Sequence, residues 1–354
     1  PAYVAPMAAV FGAGLLAFYS AVRFSFAGAA NVLGLRKIKR WEAIDWPAEY
    51  ARRATEDSLP LDAVHHVVII PNYREEPETL RRTLDHLARQ RDAATSISIV
   101  LAMEVGEAGA LSKGEALRAE YADHFENFLV ATHPKGLHGE MQCKSANQAW
   151  AARWARRAMV DERGYNIDHL VITTMDSDTL WHSHYFEALR VLFALDPRRY
   201  ATFWQAPIRY HGNIWTINPL MRILHAYSSA WELAYLAAPW WQALPMSSYS
   251  MSLRLLDSVG YWDADVIADE WHVYIKSYFQ RDGDIRLQPI LLPFYASATT
   301  GSTLVQALKE RYLQTLRHAW GAKEIGYTIS QMSENPHISF LGGVHLLFLV
   351  AHDK

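Results

Sequence analysis

The sequence predicts an open, mostly parallel α/β sheet flanked by helices, with a long apolar helix ahead of it and amphipathic helices behind it. Three observations predict this. Short apolar runs rich in β-branched residues recur without alternation, as strands buried on both faces require. Between them lie segments with apolar residues at helical spacing. Acidic residues stand just past the ends of three of the runs, where ligands bind in such sheets.

Taken in order, Pro1 to Val22 carries no charge. A membrane span needs about 20 apolar residues, so residues 1–35 are expected to form a transmembrane helix. Arg36-Lys37-Ile38-Lys39-Arg40 follows it. By the positive-inside rule this places the rest on the cytoplasmic side of the cell (inner) membrane. The first residue is Pro1, which reads as a processed chain. Residues 36–63 read as a basic, polar linker with some helix. His66–Ile70 is a β-branched run ended by Pro71. Glu76-Pro77-Glu78 offers helix-start chemistry, with Leu80, Leu84 and Leu87 on one face. A second strand is expected at Ile97–Met103, ending in Glu104, then a helix from Lys113 to His124 and a short strand at Phe128–Ala131. A long helix follows over residues 144–160, with Trp150 and Trp154 on one face, and a strand at Leu170–Met175. Residues 301–335 read as amphipathic helices. Asn335-Pro336 reads as the cap and first turn of an apolar run, Ile338–Ala351, that is either a buried helix or the start of a second span within 336–354.

The bulk composition excludes little but is informative. The chain has 354 residues with a formal charge of −3, without the basic footprint that nucleic-acid binding leaves. A lone Cys143 excludes an internal disulfide. The 13 Trp and 18 Tyr crowd toward residues 200–280, which suits a core, sugar stacking or a membrane interface. Trp231, Trp240 and Trp241 fit an acceptor groove or an interfacial helix equally.

The pattern D-x-D occurs at Asp176/Asp178, Asp263/Asp265 and Asp282/Asp284. The last is a turn around Gly283, and the second lies in a loop after Gly260. Only Asp176/Asp178 ends a strand, where alternate residues point the same way and two carboxylates face one ligand. Such hard oxygen donors suit Mg²⁺ or Mn²⁺ bound jointly with a diphosphate.

With these residues in place, the chain resembles the family-2 glycosyltransferases of GT-A fold, and most nearly their membrane-anchored branch of cellulose- and hyaluronan-synthase-like enzymes. The likeness runs over residues 64–330. VVIIPNYREE is similar to the family's first strand and turn, which places Pro71, Tyr73 and Glu75 beside the nucleoside. Glu104 stands where the family has a base-contacting acid. Lys144-Ser145-Ala146-Asn147 resembles the helix start near sugar and phosphates, implying Lys144 and Asn147 as donor contacts. Asp176-Ser177-Asp178 resembles the metal-binding motif, and Phe203–Ile208 the strand after it. Asp269-Glu270 resembles the segment carrying the catalytic base, in reversed order, and both stay open as candidates. Gln314 and Arg317 resemble the start of a Q-x-x-R-W motif, with Trp320 displaced by two positions. The resemblance implies a nucleotide-binding half over residues 64–212, an acceptor half over 213–300, and the Q-x-x-R segment within 301–335.

What it further implies is an inverting transfer from a nucleotide-sugar donor, UDP-linked by resemblance, to a glycan or lipid-linked acceptor at the membrane. A cation held by Asp178, and directly or through water by Asp176, would neutralise the departing diphosphate. Arg317 would add a bidentate cation, and Asp269 or Glu270 would take the acceptor proton. Two other classes fit the same acids: a metal-dependent nucleotidyltransferase or phosphohydrolase, and a catalytically silent membrane scaffold. Bland readings also stand. Asp269-Glu270 suits the start of any helix, Arg317 a helix surface, Lys144 a helix cap, and His182, His184 and His272 ordinary hydrogen bonding.

Overall fold

A computed structural model describes residues 5–353; Pro1–Val4 of the expected span and Lys354 lie outside them. Helix α1 (Pro6–Glu42) starts on a proline, whose missing N–H costs nothing in the first turn. It runs unbroken through the basic cluster and is long and apolar enough to cross a membrane by length and composition. Asp45 caps α2 (Trp46–Arg53) by accepting the Ala48 N–H.

The sheet then begins. Strand β1 (His65–Pro71) leads into α3 (Pro77–Ala88), which buries Leu80, Leu84 and Leu87 as the spacing predicts. A short α4 (Ala93–Ser96) precedes β2 (Ile97–Glu104). Helix α5 (Ala110–Tyr121) starts three residues earlier than the sequence indicates, because Gly109 at φ 77° turns the chain into it. Strand β3 (Asn127–His133) and α6 (Lys144–Arg156) follow, α6 closing on a π-turn at Arg157–Asp161. Strand β4 (Leu170–Thr174) stops one residue short of the expected Met175.

After α7 (Tyr185–Leu195), the expected strand Phe203–Ile208 is broken into β5 (Thr202–Gln205) and β6 (Ile208–Arg209) around Pro207, which cannot donate to a ladder. Asn218 caps α8 (Pro219–Ala237). Strand β7 (Tyr249–Ser252), α9 (Leu253–Ser258), α10 (Asp269–Gln280), β8 (Arg286–Pro289) and β9 (Phe294–Tyr295) complete the sheets. Helices α11 (Leu304–Ala319), α12 (Lys323–Glu334) and α13 (Phe340–Asp353) end the chain. Asn335 therefore closes α12 and does not open the last helix. Its side-chain amide donates back to the Gln331 carbonyl, a local bond that competes with helix initiation.

The main sheet has seven strands in the order β3-β2-β1-β4-β7-β5-β8. All neighbours run parallel except β7, which is antiparallel to both β4 and β5. Successive β1 residues serve opposite faces. Val68 and Ile70 join the core under α3, α5 and α7, and Val67 and Ile69 the core under α6, α9 and α10. Burial on both faces explains the unbroken β-branched runs. Beside this body α1 packs on α8, closely enough at Gly34 that a Cβ there would stand 2.9 Å from the Ala237 Cβ.

Candidate active site

From β1 the chain works outward through β2 to β3, then returns to lay β4 on the other side of β1. That reversal is a topological switch point, and the crevice beyond its carboxyl ends is where open α/β sheets bind ligands. Two of the predicted acid positions, Glu75 after β1 and Asp176/Asp178 after β4, flank it. The loop carrying Asp176-Ser177-Asp178 is pinned from α3, where the Thr83 hydroxyl donates to the Ser177 carbonyl at 2.7 Å.

Asp176 meets Lys144, the first residue of α6, at 2.5 Å. The two side chains remain 32% and 41% exposed, so both are open to a ligand. Burial alone would lower the Lys144 ammonium, but the charges of Asp176, Asp269 and Glu270 outweigh it and hold the amine protonated. Burial likewise would raise Asp176, yet Lys144 and a Ser247 hydrogen bond hold its carboxyl below the ordinary range. Ser247 sits at φ 55°, a left-handed conformation unusual for serine. Its hydroxyl donates to Asp176 Oδ2 at 2.6 Å, its carbonyl accepts Lys144 Nζ at 3.3 Å, and its N–H faces Glu270 Oε1 at 3.5 Å.

Asp269 and Glu270 open α10, so the helix-start reading holds, but the pair does more than cap. Asp269 is buried and accepts the Gln148 side-chain amide, whose oxygen in turn accepts the Thr174 hydroxyl at 2.8 Å. That chain ties α10 to α6 and β4. Burial first, and then the Glu270 charge, raise the Asp269 carboxyl. Glu270 is only half-buried and faces the crevice through Ser247.

The remaining acids fit a divalent cation. Asp178 accepts the Ser297 N–H at 3.1 Å, and burial followed by the Asp176 charge raises its carboxyl. Burial also raises Glu75; a Ser177 hydrogen bond opposes this, and the charges of Asp178 and Asp176 add to it. Raised carboxyls crowded by like charge are relieved by a bound cation. Among the described residues no three or more His, Cys, Asp or Glu side chains are arranged to hold a metal alone. Phosphate and water oxygens would therefore complete the shell, as hard-cation sites on two carboxylates require.

Other predicted residues take different places. Pro71 ends β1, and Tyr73 lies 44% exposed at the crevice rim, its ring 4.9 Å from the Arg74 guanidinium. Glu104 is buried and engaged by His133 Nδ1 at 3.0 Å, while His133 Nε2 meets Glu140 at 2.8 Å. Asn147 is buried and donates to the Ala102 carbonyl at 3.0 Å, fastening α6 to β2. Gln314 accepts from Thr299 and Arg311, each at 2.9 Å. Arg317 is exposed on α11, and its neighbour His318 is the residue whose charge acts on Asp176. Trp320 lies 58% exposed in the turn after α11. His272 lies between Asp263 and Glu324, and His184 beside Glu187. Sequence reading missed Ser247, Gln148, Glu140 and Glu107. The last gathers Lys113, the Arg74 N–H and Asn72 to shape the turn after β1.

This is a mostly parallel α/β sheet with flanking helices, its acidic crevice at the switch point. No known protein family and no curated protein matches the sequence. Solved structures similar to it are glycosyltransferases. One is the mannosyltransferase PcManGT from Pyrobaculum calidifontis, in complex with GDP-Man and Mn²⁺. It shares 15% identity at a TM-score of 0.48, over 94% of this chain and 84% of that one. S. aureus TarS 1–349 with UDP-GlcNAc shares 12% identity at a TM-score of 0.40, over 68% of this chain and 60% of that one. GalNAc-T7 with UDP, GalNAc and Mn²⁺ shares 11% at a TM-score of 0.42, over 66% and 43%.

Proposed function

We propose that this chain is a membrane-anchored, inverting, metal-dependent glycosyltransferase. It moves a sugar from a nucleoside-diphosphate donor, UDP-linked in the first instance, to a hydroxyl of a glycan or lipid-linked acceptor. One observation carries the reading: the Lys144 ammonium bonds Asp176 at 2.5 Å and lies within the field of Asp269 and Glu270, with Ser247 touching both Lys144 and Glu270. A group suited to the departing diphosphate thus adjoins a carboxyl pair suited to taking a proton, and transfer needs both at one point.

In this reading Asp178, with Glu75 and Asp176 nearby, holds Mg²⁺ or Mn²⁺ against the donor diphosphate. When bound, the cation supplies charge neutralisation for the leaving group. Lys144 leaves Asp176 for the phosphates, a short swing for a flexible point charge. Glu270, the more open of the pair, accepts the acceptor hydroxyl's proton. Asp269, held by Gln148, positions it. Direct attack by that hydroxyl inverts the anomeric centre, so no covalent nucleophile is needed.

Membrane anchoring is supported by α1, and the basic cluster Arg36–Arg40 in its last turns supports a site on the cytoplasmic side of the inner membrane. It is also supported by the outer face of α11, where Val305, Leu308, Tyr312 and Leu316 are exposed at helical spacing.

The test is calorimetric titration of the full chain in lipid nanodiscs with UDP and GDP, each with Mn²⁺ and again with EDTA. Mn²⁺-dependent binding of one nucleotide, lost in Asp178→Asn, is the expected result. Hydrolysis of nucleoside triphosphates without an acceptor would replace the reading by phosphoryl chemistry. A folded protein that binds neither nucleotide would be a silent scaffold.

A further inference from the structure

A cavity of about 320 Å³ opens between α1 and α8. Arg23 and Phe24 of α1 line it from one side, and Tyr227, Ser228, Trp231 and Glu232 of α8 from the other. Arg23 is the first charge after the uncharged run Pro1–Val22, so the cavity lies where that run ends, the level at which charged side chains meet lipid headgroups.

The lining has a definite chemistry. The Arg23 guanidinium lies over the Trp231 ring at 4.8 Å and donates through one terminal nitrogen to the Tyr235 hydroxyl at 2.5 Å, while its Nε is buried with no hydrogen-bond partner. Tyr227 and Trp231 are stacked at 6.0 Å and 22°, and Phe24 packs on Trp231 at 5.5 Å. The cavity therefore offers a donor-only cation, an acceptor carboxylate, a hydroxyl and a floor of aromatic faces. A bare phosphate suits the arginine but meets the Glu232 carboxylate. A sugar suits all of them, because each hydroxyl both donates and accepts and its C–H faces cover apolar rings.

The cavity is also wired to the crevice. Ser228 Oγ accepts Arg311 at 2.9 Å, Arg311 donates to Gln314 Oε1 at 2.9 Å, and Thr299 donates to the same oxygen at 2.9 Å. Two residues before Thr299 along the chain, the Ser297 N–H donates to Asp178. The Tyr210 N–H donates to Ser229 of α8 at 3.0 Å, and its phenol feels the charges of Glu232, Asp176 and Asp178. On α1 the apolar first half is exposed, and Leu16, one turn before the cavity-lining Ser20, is 65% exposed on the cavity's side.

We propose that this cavity binds the sugar headgroup of a glycolipid whose chain lies along α1, and that this glycolipid is the acceptor. The acceptor role rests on the transferase reading; the binding site does not.

The full chain in phosphatidylcholine nanodiscs is treated with a photoactivatable long-chain alkyl glucoside, with the same photolabel on free glucose, and with an alkyl phosphate of equal chain length. Labelled peptides are mapped by mass spectrometry. The expected result is labelling of the segments around Arg23 and Trp231 by the alkyl glucoside, about tenfold above either control, as a difference of about 1.4 kcal/mol in affinity would give. Glu232→Gln, equal in shape, should lose most of it. Trp231→Phe should keep more than Trp231→Ala, and since the alanine variant risks loosening α8 from α1, the glutamine variant decides. Equal labelling by the alkyl phosphate, labelling elsewhere, or undiminished labelling of Glu232→Gln would overturn the site. UDP and GDP titration of the same wild-type discs separates the two claims. Glucoside labelling without nucleotide binding keeps the site and ends the acceptor role, whereas nucleotide binding without labelling ends the site itself.

Discussion

Ser247 commits all of its polar groups to the crevice: hydroxyl to Asp176, carbonyl to Lys144, N–H toward Glu270. Hydrogen bonds to charged partners are worth about 1.5–3 kcal/mol, so Ser247→Ala should slow transfer by roughly ten- to a hundredfold. Retention of wild-type turnover in a donor-consumption assay would remove Ser247 from the site. The carboxyl pair gives a second expectation. Burial, and then the Glu270 charge, raise Asp269, so its proton leaves above the ordinary carboxylate range. The acid limb of the rate profile should lie correspondingly high. Glu270→Gln should abolish turnover, whereas Asp269→Asn should keep part of it and remove the high acid limb, because the raised carboxyl is then gone. The reverse ranking would make Asp269 the base. Asp176/Asp178 was legible because strand end and two-residue spacing are local signals. Ser247 was not, since nothing near it in the chain announces a left-handed serine and its partner Asp176 lies 71 positions away.

At the scale of elements, α10 is held from behind by buried charge. His272 bonds Asp263 at 2.8 Å and Glu324 of α12 at 2.9 Å, and Lys276 bonds Asp263 at 2.6 Å. Burial would lower the imidazole, but its two carboxylate partners push it up to about 9 from an ordinary 6.5. Burial would raise Asp263, but His272 and Lys276 bring it down to about 2 from 3.8. A raised histidine gives stability that is complete below 6.5 and lost as pH rises through 9. A lowered aspartate gives stability that is complete above 3.8 and lost as pH falls through 2. The network should therefore be strongest between those inner values, with the histidine contributing on the order of 3 kcal/mol. Thermal unfolding from pH 5 to 10 should show a decline above neutrality that His272→Gln flattens; a variant with an unchanged profile would deny the network that role. Strands β1 to β4 and α3 were legible because burial on two faces or one writes a pattern into the residues, whereas the short β7, β8 and β9 were not read. The limits of α5, the break at Pro207 and the role of Asn335 were not, because single backbone choices, a positive φ or a local amide bond, set them. The His272 network was hidden for another reason: Glu324 reaches it across 52 positions.

For the molecule as a whole, the long N-terminal helix is tied to the enzyme-like body through its second half. The Asn31 amide donates to the Ala230 carbonyl at 2.8 Å and Lys37 to the Ala237 carbonyl at 3.1 Å, with Gly34 pressed between them on α8. A leucine at Gly34 would push into Leu233 and the Ala237 Cβ. Overpacking of this kind costs about 1–3 kcal/mol, so Gly34→Leu should lower the melting temperature and free α1 from α8. Unchanged melting and unchanged quenching of Trp231 fluorescence would show that the contact carries no load. The antiparallel strand at the middle of the sheet has a consequence in time. β5 leaves the ribosome before β7, yet β7 lies between β4 and β5. About 75 residues separate the end of β4 from the start of β7, on the order of ten seconds of synthesis. Throughout that interval β4 offers an unpaired edge, the kind other chains pair with. Ser247 arrives at its close and Asp269 and Glu270 shortly after, so the nascent chain can shape the β1–β4 side of the crevice, with Glu75, Asp176 and Asp178, well before those three residues reach it.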